Sequence, residues 1–367
     1  MLLLGCVPLA GMTAFLAARR LTPVLAARIW IAVSYALLPV ATGAVAAGRI
    51  GTAVAFVLLP LIGVMIGRML AGTPTPVSLQ SRFTARQAAW AVGLLTAIAA
   101  AFVPLAWPAV VIVVLGTAAV LRWLGPAATG ADSGQDDPPA SRRDFAINAA
   151  IVAVVPAVIL IPWTFHLVTT PSALFGEAGL LRPGLAVGLR AESLLLLSPG
   201  GPGLPPAWVT AGLVLPAFCA LLAGRRTALV YTGWGIALAG LVMALAVSRI
   251  RLTPPQGGAA VSAWPGLAIA IAAAGLLVAA TPLIETVGRT LSGAGDPAGR
   301  RSAGRFGTGW RILAAVAGLA VAVSAPALAA GYWLVTGSAD RWRRPPRPSC
   351  PLSWRPRRLV RTGPGRW

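Results

Sequence analysis

The side chains that could carry out acid–base chemistry are few, and they lie near the ends of apolar stretches. The sequence contains nine acidic residues and a single histidine. Two of the carboxylates, Glu177 and Glu192, fall about 15 residues apart in one long segment between apolar runs. Acidic side chains close to a membrane surface can act as a general base or hold a metal ion. Glu177 and Glu192 are therefore the weak catalytic candidates of this chain.

The surroundings of these two glutamates do not favour a catalytic site. The segment has no paired aspartates of the DxD type and no second basic cluster for a phosphate. Cys6, Cys219 and Cys350 are scattered without a CxxC pair, which argues against both a zinc site and a disulfide framework. The sequence thus predicts no catalytic residue beyond these weak candidates, no cofactor and no metal.

Two further ionisable groups lie at the ends of apolar runs, where burial in lipid would make them functional candidates. His166 closes the run Ile161-Pro-Trp-Thr-Phe-His166, whose tryptophan is typical of a membrane interface. Glu285 precedes Arg289 by four residues, a helical spacing that lets the two side chains pair. We expect a structural role for both groups.

Composition places most of the chain in lipid. The sequence is 57% hydrophobic and 11% charged, with a mean hydropathy of +0.80. A soluble chain of 367 residues could not hide this apolar surface in one core. All thirty basic residues are arginines, which sit singly or in pairs at the ends of apolar runs, so the net charge of +21 indicates membrane-flanking charge rather than nucleic-acid binding.

Apolar runs of the length that spans a bilayer occur ten times. They predict an all-α fold, a polytopic bundle of about ten transmembrane helices. The first run is taken as a span rather than a signal peptide, because it lacks a basic start and is followed by Arg19 and Arg20. The runs are Leu2 to Ala18, Ile29 to Ala47, Gly51 to Gly67, Ala88 to Leu105, Pro108 to Leu121, Ala146 to Val168, Ala207 to Leu222, Thr227 to Val247, Pro265 to Ile284 and Ile312 to Val335.

Arginine placement predicts the orientation of these spans. Putting the N-terminus outside the membrane assigns sixteen arginines to inner loops and five to outer loops, as the positive-inside rule favours. The stretch Ala88 to Leu121 is one apolar run interrupted only at Pro104 and at Trp107-Pro108. Counting it as a single kinked helix would put basic loops on opposite sides, so we predict two spans there.

The chain divides into a membrane domain over residues 1–338 and an Arg/Pro-rich tail over 339–367. Nine arginines follow Asp340, and the ten-span topology puts them outside, against the charge rule. Three explanations are open. The span count is off by one, the tail is a disordered segment that binds anionic lipid, or the tail is translated from a shifted reading frame.

Three runs resemble the membrane region of large actinobacterial family 2 glycosyltransferase proteins. The first is Trp30-Ile-Ala-Val-Ser-Tyr-Ala-Leu-Leu-Pro and its continuation to Ala53. The others are Leu197-Ser-Pro-Gly-Gly-Pro-Gly203 with Pro206-Ala-Trp208, and Thr253-Pro-Pro with Ala263-Trp-Pro-Gly266. The resemblance covers roughly Met1 to Ser338. The family continues with ordinary composition after this region, so the resemblance favours the shifted frame as the origin of the tail.

The resemblance implies a function that depends on a part outside this chain. In that family a cytoplasmic domain with an aspartate-rich metal and nucleotide-sugar site precedes the membrane region, and nothing of the kind occurs in this sequence. We therefore expect the chain to be a fragment, the membrane portion of a larger transferase in the cell membrane. Its expected partners are the lipid bilayer, a lipid-linked sugar and the missing transferase domain, with no nucleic acid.

Two other functions are open. Proline-broken spans are typical of transporters and lipid flippases, although the spans offer only neutral polar groups such as Ser34, Thr42, Asn148 and Ser324 where coupled transport usually needs charge. An outward-facing transferase using a lipid-phosphate sugar is the other alternative, and it would depend on Glu177 or Glu192.

Overall fold

The computed structural model describes residues 2–70, 79–124, 142–178, 184–185, 191–199, 207–222, 228–252, 260–291 and 305–340. The predicted Arg/Pro-rich tail lies outside these ranges from residue 341 onward. Residues 125–141 and the proline-rich residues 200–206 also lie outside them.

Helices make up most of the described chain, as the apolar runs predict. Two short 3-10 helices, Pro171–Phe175 and Ala207–Thr210, accompany the α-helices. The α-helices are α1 (Leu2–Leu21), α2 (Leu25–Ala36), α3 (Pro39–Ala46), α4 (Ile50–Leu70), α5 (Leu79–Phe102), α6 (Ala106–Leu124), α7 (Arg142–Ile159), α8 (Ile161–Thr169), α9 (Ala191–Leu195), α10 (Ala211–Leu222), α11 (Ala228–Arg249), α12 (Gly266–Leu291) and α13 (Arg305–Asp340).

A small antiparallel sheet was not predicted from the sequence. Its strands are β1 (Gly184–Leu185), β2 (Arg251–Leu252) and β3 (Val261–Ala263), with β3 in the centre. β3 pairs with both neighbours through only two residue pairs each. Such short strands leave no alternating pattern long enough to be read from sequence. The sheet links the end of α11 to the start of α12.

Six helical stretches of the described chain are long and apolar enough to cross a membrane. A seventh is added if α7 and α8 form one broken span, so the described residues contain six to seven helices that by length and composition could span a membrane. Each of the ten predicted runs coincides with a helix or a pair of adjoining helices. The count of ten is therefore not reached, and α10, with 12 residues, is one of the helices that fall short. The six stretches are Leu25–Ala46, Ile50–Leu70, Thr84–Phe102, Ala106–Trp123, Ala228–Arg249 and Gly266–Thr290.

The run from Ala88 to Leu121 forms two helices, as predicted. α5 ends at Phe102 and α6 begins at Ala106. Pro104 has no amide hydrogen to donate, and a residue before proline is disfavoured in helical conformation. The amide of Ala106 bonds instead to the carbonyl of Val103, which closes a tight turn. The chain reverses there.

The predicted span from Ala146 to Val168 is not one straight helix. α7 and α8 meet at an angle of 95°. Pro162 lies in the first turn of α8, so its ring nitrogen cannot continue the hydrogen-bond ladder of α7. Phe165 and Val168 on α8 are largely exposed. An apolar, exposed helix at a right angle to its predecessor suits the membrane interface.

α12 forms the centre of the bundle and packs most extensively against α11, with α10, α2, α13 and α4 around it. Glycine allows the closest of these contacts. A Cβ atom at Gly240 would lie 2.5 Å from the backbone nitrogen of Ala272, and one at Gly275 would lie 2.5 Å from that of Ala237. Small residues at such positions let helix backbones approach each other in lipid.

Candidate functional site

The two interfacial ionisable groups lie as their sequence context predicts. Glu285 and Arg289 form an ion pair one helical turn apart on α12. His166 is exposed on α8, and its ring centroid lies 5.3 Å from that of Trp163. Both fit the structural role expected of them.

Glu177 is buried in an ion pair. Its carboxylate oxygen Oε1 lies 3.1 Å from Nη1 of Arg49 and accepts a hydrogen bond of 2.8 Å from the hydroxyl of Thr52. The side chains of Arg49 and Glu177 are only 4% and 5% exposed. Glu192 lies on α9, and its side chain is outside the described part of the structure.

A helix end positions Arg49. The amide of Gly48 bonds to the carbonyl of Val45, and the amide of Arg49 bonds to that of Ala44. This pair of bonds is a Schellman motif at the end of α3, and it requires the left-handed φ of +68° that glycine adopts at position 48. The turn reverses the chain into α4 and directs the Arg49 side chain into the protein.

The guanidinium of Arg49 also stacks on an aromatic ring. Its central carbon lies 4.3 Å from the ring centroid of Trp264, between β3 and α12. Burial lowers the pKa of Arg49, and the neighbouring Glu177 carboxylate opposes this shift. We call Arg49, Thr52, Glu177 and Trp264 the sheet-end cluster.

The sheet-end cluster has a structural rather than catalytic arrangement. It ties the segment after α8 to the start of α4 and to β3, and the amide of Ala178 adds a bond to the carbonyl of Phe102. A carboxylate that is buried and neutralised by arginine is a poor general base. Sequence reasoning missed Arg49 as the partner of Glu177, because 128 residues separate the two and the position of Arg49 between two apolar runs indicates only loop charge.

A large cavity lies between α1, α2, α4, α6, α11 and α12. Its volume is about 1370 Å³, and its walls are mainly alanine, valine, leucine and isoleucine side chains. Gly63 and Gly67 of α4 line it, and a Cβ atom at either position would meet nothing within 4 Å. The missing side chains of these glycines contribute directly to the open space.

The cavity extends along much of the bundle. Ala55 and Arg68, both on α4, line its two ends and are thirteen residues apart, which corresponds to roughly 20 Å of helix. Ala55 follows Thr52 by one turn, so the sheet-end cluster lies beyond the cavity on that side. Arg20, Arg68 and Arg122 line the opposite side. We call that side the basic end.

Comparison with protein family models, with curated proteins and with solved structures found no match. Within the described ranges, no group of three or more histidine, cysteine, aspartate or glutamate side chains could hold a metal ion. The cavity and the sheet-end cluster are the features from which function is argued.

Removing either partner of the buried ion pair between Arg49 and Glu177 should destabilise the fold. We predict that Arg49→Met and Glu177→Gln each lower the free energy of unfolding by about 3 kcal/mol, because each leaves an uncompensated buried polar group. The double variant should lose less than the sum of the two, since neither charge then remains. Titration with sodium dodecyl sulfate in detergent micelles measures these values.

Arg251→Met is the matched control, because Arg251 is an exposed arginine at the same end of the bundle. It should change the unfolding free energy by less than about 0.5 kcal/mol. An unchanged unfolding free energy in Glu177→Gln would contradict the structural role and reopen a catalytic one.

Proposed function

We propose that this chain is a membrane-embedded domain that holds a lipid-linked sugar in the cavity between α4, α6 and α12. The supporting observation is the cavity itself, which is long, apolar and large. Binding pockets for small molecules usually have volumes of about 300–1,000 Å³, so a cavity of 1370 Å³ can accept a long lipid chain. The domain anchors the substrate, and the transfer reaction belongs to a separate domain.

The character of the cavity favours a lipid over a polar solute. The polar side chains along its middle are few, and the hydroxyl of Tyr35 already donates to the carbonyl of Phe56. A transporter for a polar solute needs polar or charged groups near mid-membrane. The transporter hypothesis therefore has less support.

The identity of the cargo as a sugar carrier rests on the sequence resemblance. The runs around Trp30, Leu197 and Ala263 resemble the membrane region of actinobacterial family 2 glycosyltransferase proteins. A membrane portion without a nucleotide-sugar site needs a catalytic partner, and a transferase domain on the cytoplasmic side of the cell membrane would fill that role. The partners proposed are thus the bilayer, the lipid-linked sugar and that domain.

We further propose that ten spans build this domain. The additional spans are α1, α10 and α13, which coincide with apolar runs of the sequence and pack against the central helices. α10 has 12 residues, but the 3-10 helix Ala207–Thr210 precedes it directly and lengthens it. An even number of spans puts both chain ends on the side of the sheet-end cluster.

Cysteine accessibility tests the ten-span topology in intact cells. In a background without native cysteines, Thr169→Cys, Arg251→Cys and tags at both termini should react with a membrane-impermeant reagent. Arg143→Cys should react only after the membrane is permeabilised, because it lies at the basic end. An N-terminal tag on the side of Arg143 would show that α1 does not cross the membrane. If Thr169→Cys and Arg251→Cys were labelled from opposite sides of the membrane, α10 would not cross it.

Filling the cavity tests the proposed function directly. We predict that Gly63→Leu with Gly67→Leu reduces the binding of a long-chain polyprenol at least tenfold, because the new side chains occupy the space of the lipid chain. The fold should tolerate both changes, since a Cβ atom meets nothing at either site and leucine favours the helix. Native mass spectrometry of the full chain in phosphatidylcholine nanodiscs measures the bound polyprenol.

Gly116→Leu is the matched control. Gly116 lies on α6, a wall of the cavity, but it does not line the cavity, and nothing lies within 4 Å of its Cβ position. This variant should bind polyprenol like the unaltered chain. Equal binding by all three proteins would contradict a lipid site in the cavity, as would a chain that binds no polyprenol at all.

A further inference from the structure

The basic end of the cavity carries three arginines from three different helices. Arg20 lies in the last turn of α1, Arg68 in the last turn of α4 and Arg122 in the last turn of α6. All three line the cavity and are exposed. Because they come from separate helices, their shared position at the cavity is a property of the fold rather than of one basic sequence run.

These arginines have no acidic neighbour along the cavity. No aspartate or glutamate occurs among the described residues that line it. Arg122 stacks on the ring of Phe145 at 4.8 Å, which fixes the direction of its side chain. The adjacent Asp144 lies 4.0 Å from Arg86 on α5. The basic end thus presents positive charge at the mouth of an apolar space.

A lipid with an anionic headgroup fits both the positive charge at the basic end and the apolar cavity beside it. Guanidinium groups bind phosphate oxygens through charge-assisted hydrogen bonds. Arginines at the ends of spanning helices lie at the level of the lipid headgroups. The excess of arginine in the predicted inner loops assigns this end of the bundle to the inner leaflet. From there the cavity extends roughly 20 Å, which exceeds half of a hydrocarbon core of about 30 Å. The hydrocarbon chain of such a lipid can therefore extend into the cavity while its phosphate lies at the basic end.

We propose that Arg20, Arg68 and Arg122 bind the phosphate of a lipid whose chain occupies the cavity, so that the substrate is a lipid phosphate taken from the inner leaflet. This inference rests on the proposed function and deepens it, because it names the headgroup and the side from which the lipid enters. It predicts two separable contributions to binding. The cavity walls hold the chain, and the three arginines hold the phosphate.

The test compares a polyprenyl phosphate with the polyprenol of the same chain length. Both are titrated into the full chain in phosphatidylcholine nanodiscs, and the apparent Kd is measured by native mass spectrometry. Arg20→Gln, Arg68→Gln and Arg122→Gln should each weaken binding of the phosphate about fivefold, and the triple variant about a hundredfold. Binding of the polyprenol should not change in any of them.

Matched controls remove the same charge elsewhere at the basic end. Arg19→Gln changes the residue next to Arg20. The guanidinium of Arg19 lies over the ring of Phe15, and Arg19 does not line the cavity. Arg143→Gln and Arg289→Gln remove two further exposed arginines that do not line the cavity. The triple control should bind polyprenyl phosphate within about twofold of the unaltered chain. A loss equal to that of the cavity arginines would reveal general surface attraction and overturn the proposal.

The remaining outcomes separate this inference from the proposed function. Equal affinity for polyprenol and polyprenyl phosphate, unchanged by the triple variant, would overturn the phosphate site while leaving the lipid cavity in place. Failure of both ligands to bind would remove the cavity function itself. A third arm uses inorganic phosphate alone. If it binds as tightly as polyprenyl phosphate, with the same dependence on the three arginines, the site takes the free ion and the lipid assignment is wrong.

Discussion

Close packing of α11 against α12 is the contact on which the rest of the bundle depends. At Gly233, Gly240 and Gly275 the two backbones approach so closely that any side chain would collide with the partner helix. Lipid tails are as apolar as leucine, so association of helices in a membrane relies on such packing rather than on the hydrophobic effect. α12 then contacts α10, α2 and α4, and it becomes the fixed wall of the cavity.

Two glycines of α4, across the cavity from α12, have the opposite effect. Gly63 and Gly67 face no neighbour, so their missing side chains widen the cavity instead of narrowing a contact. The sheet-end cluster, with its buried ion pair, lies beyond one end of the cavity, and the basic end is lined by arginine. The residues that line the cavity are mainly apolar, and the arginines among them lie at one end. This asymmetry suits the cavity to an amphiphile with an anionic headgroup.

The sequence predicted the elements better than the sites. Hydropathy located the helical runs, Pro104 divided the fourth run from the fifth, and the spacing of Glu285 and Arg289 predicted their ion pair, because each of these features is local. The bend at Leu160 depends on Pro162, but its angle of 95° does not follow from the sequence. The partnership of Arg49 with Glu177 spans 128 residues and follows only from the fold. The roles of Gly63 and Gly240 could not be predicted, because they are set by the facing helix.

The most direct test of the central claim is to locate a bound lipid chain within the bundle. A polyprenyl phosphate with a diazirine in its chain can be photolysed with the full chain in nanodiscs, and the labelled residues identified by mass spectrometry. We expect labelling of cavity residues such as Val64, Val113 and Leu277, with loss of label when unlabelled polyprenyl phosphate is added. Labelling confined to Ile112 and Leu115, exposed residues of α6 that do not line the cavity, would contradict this claim.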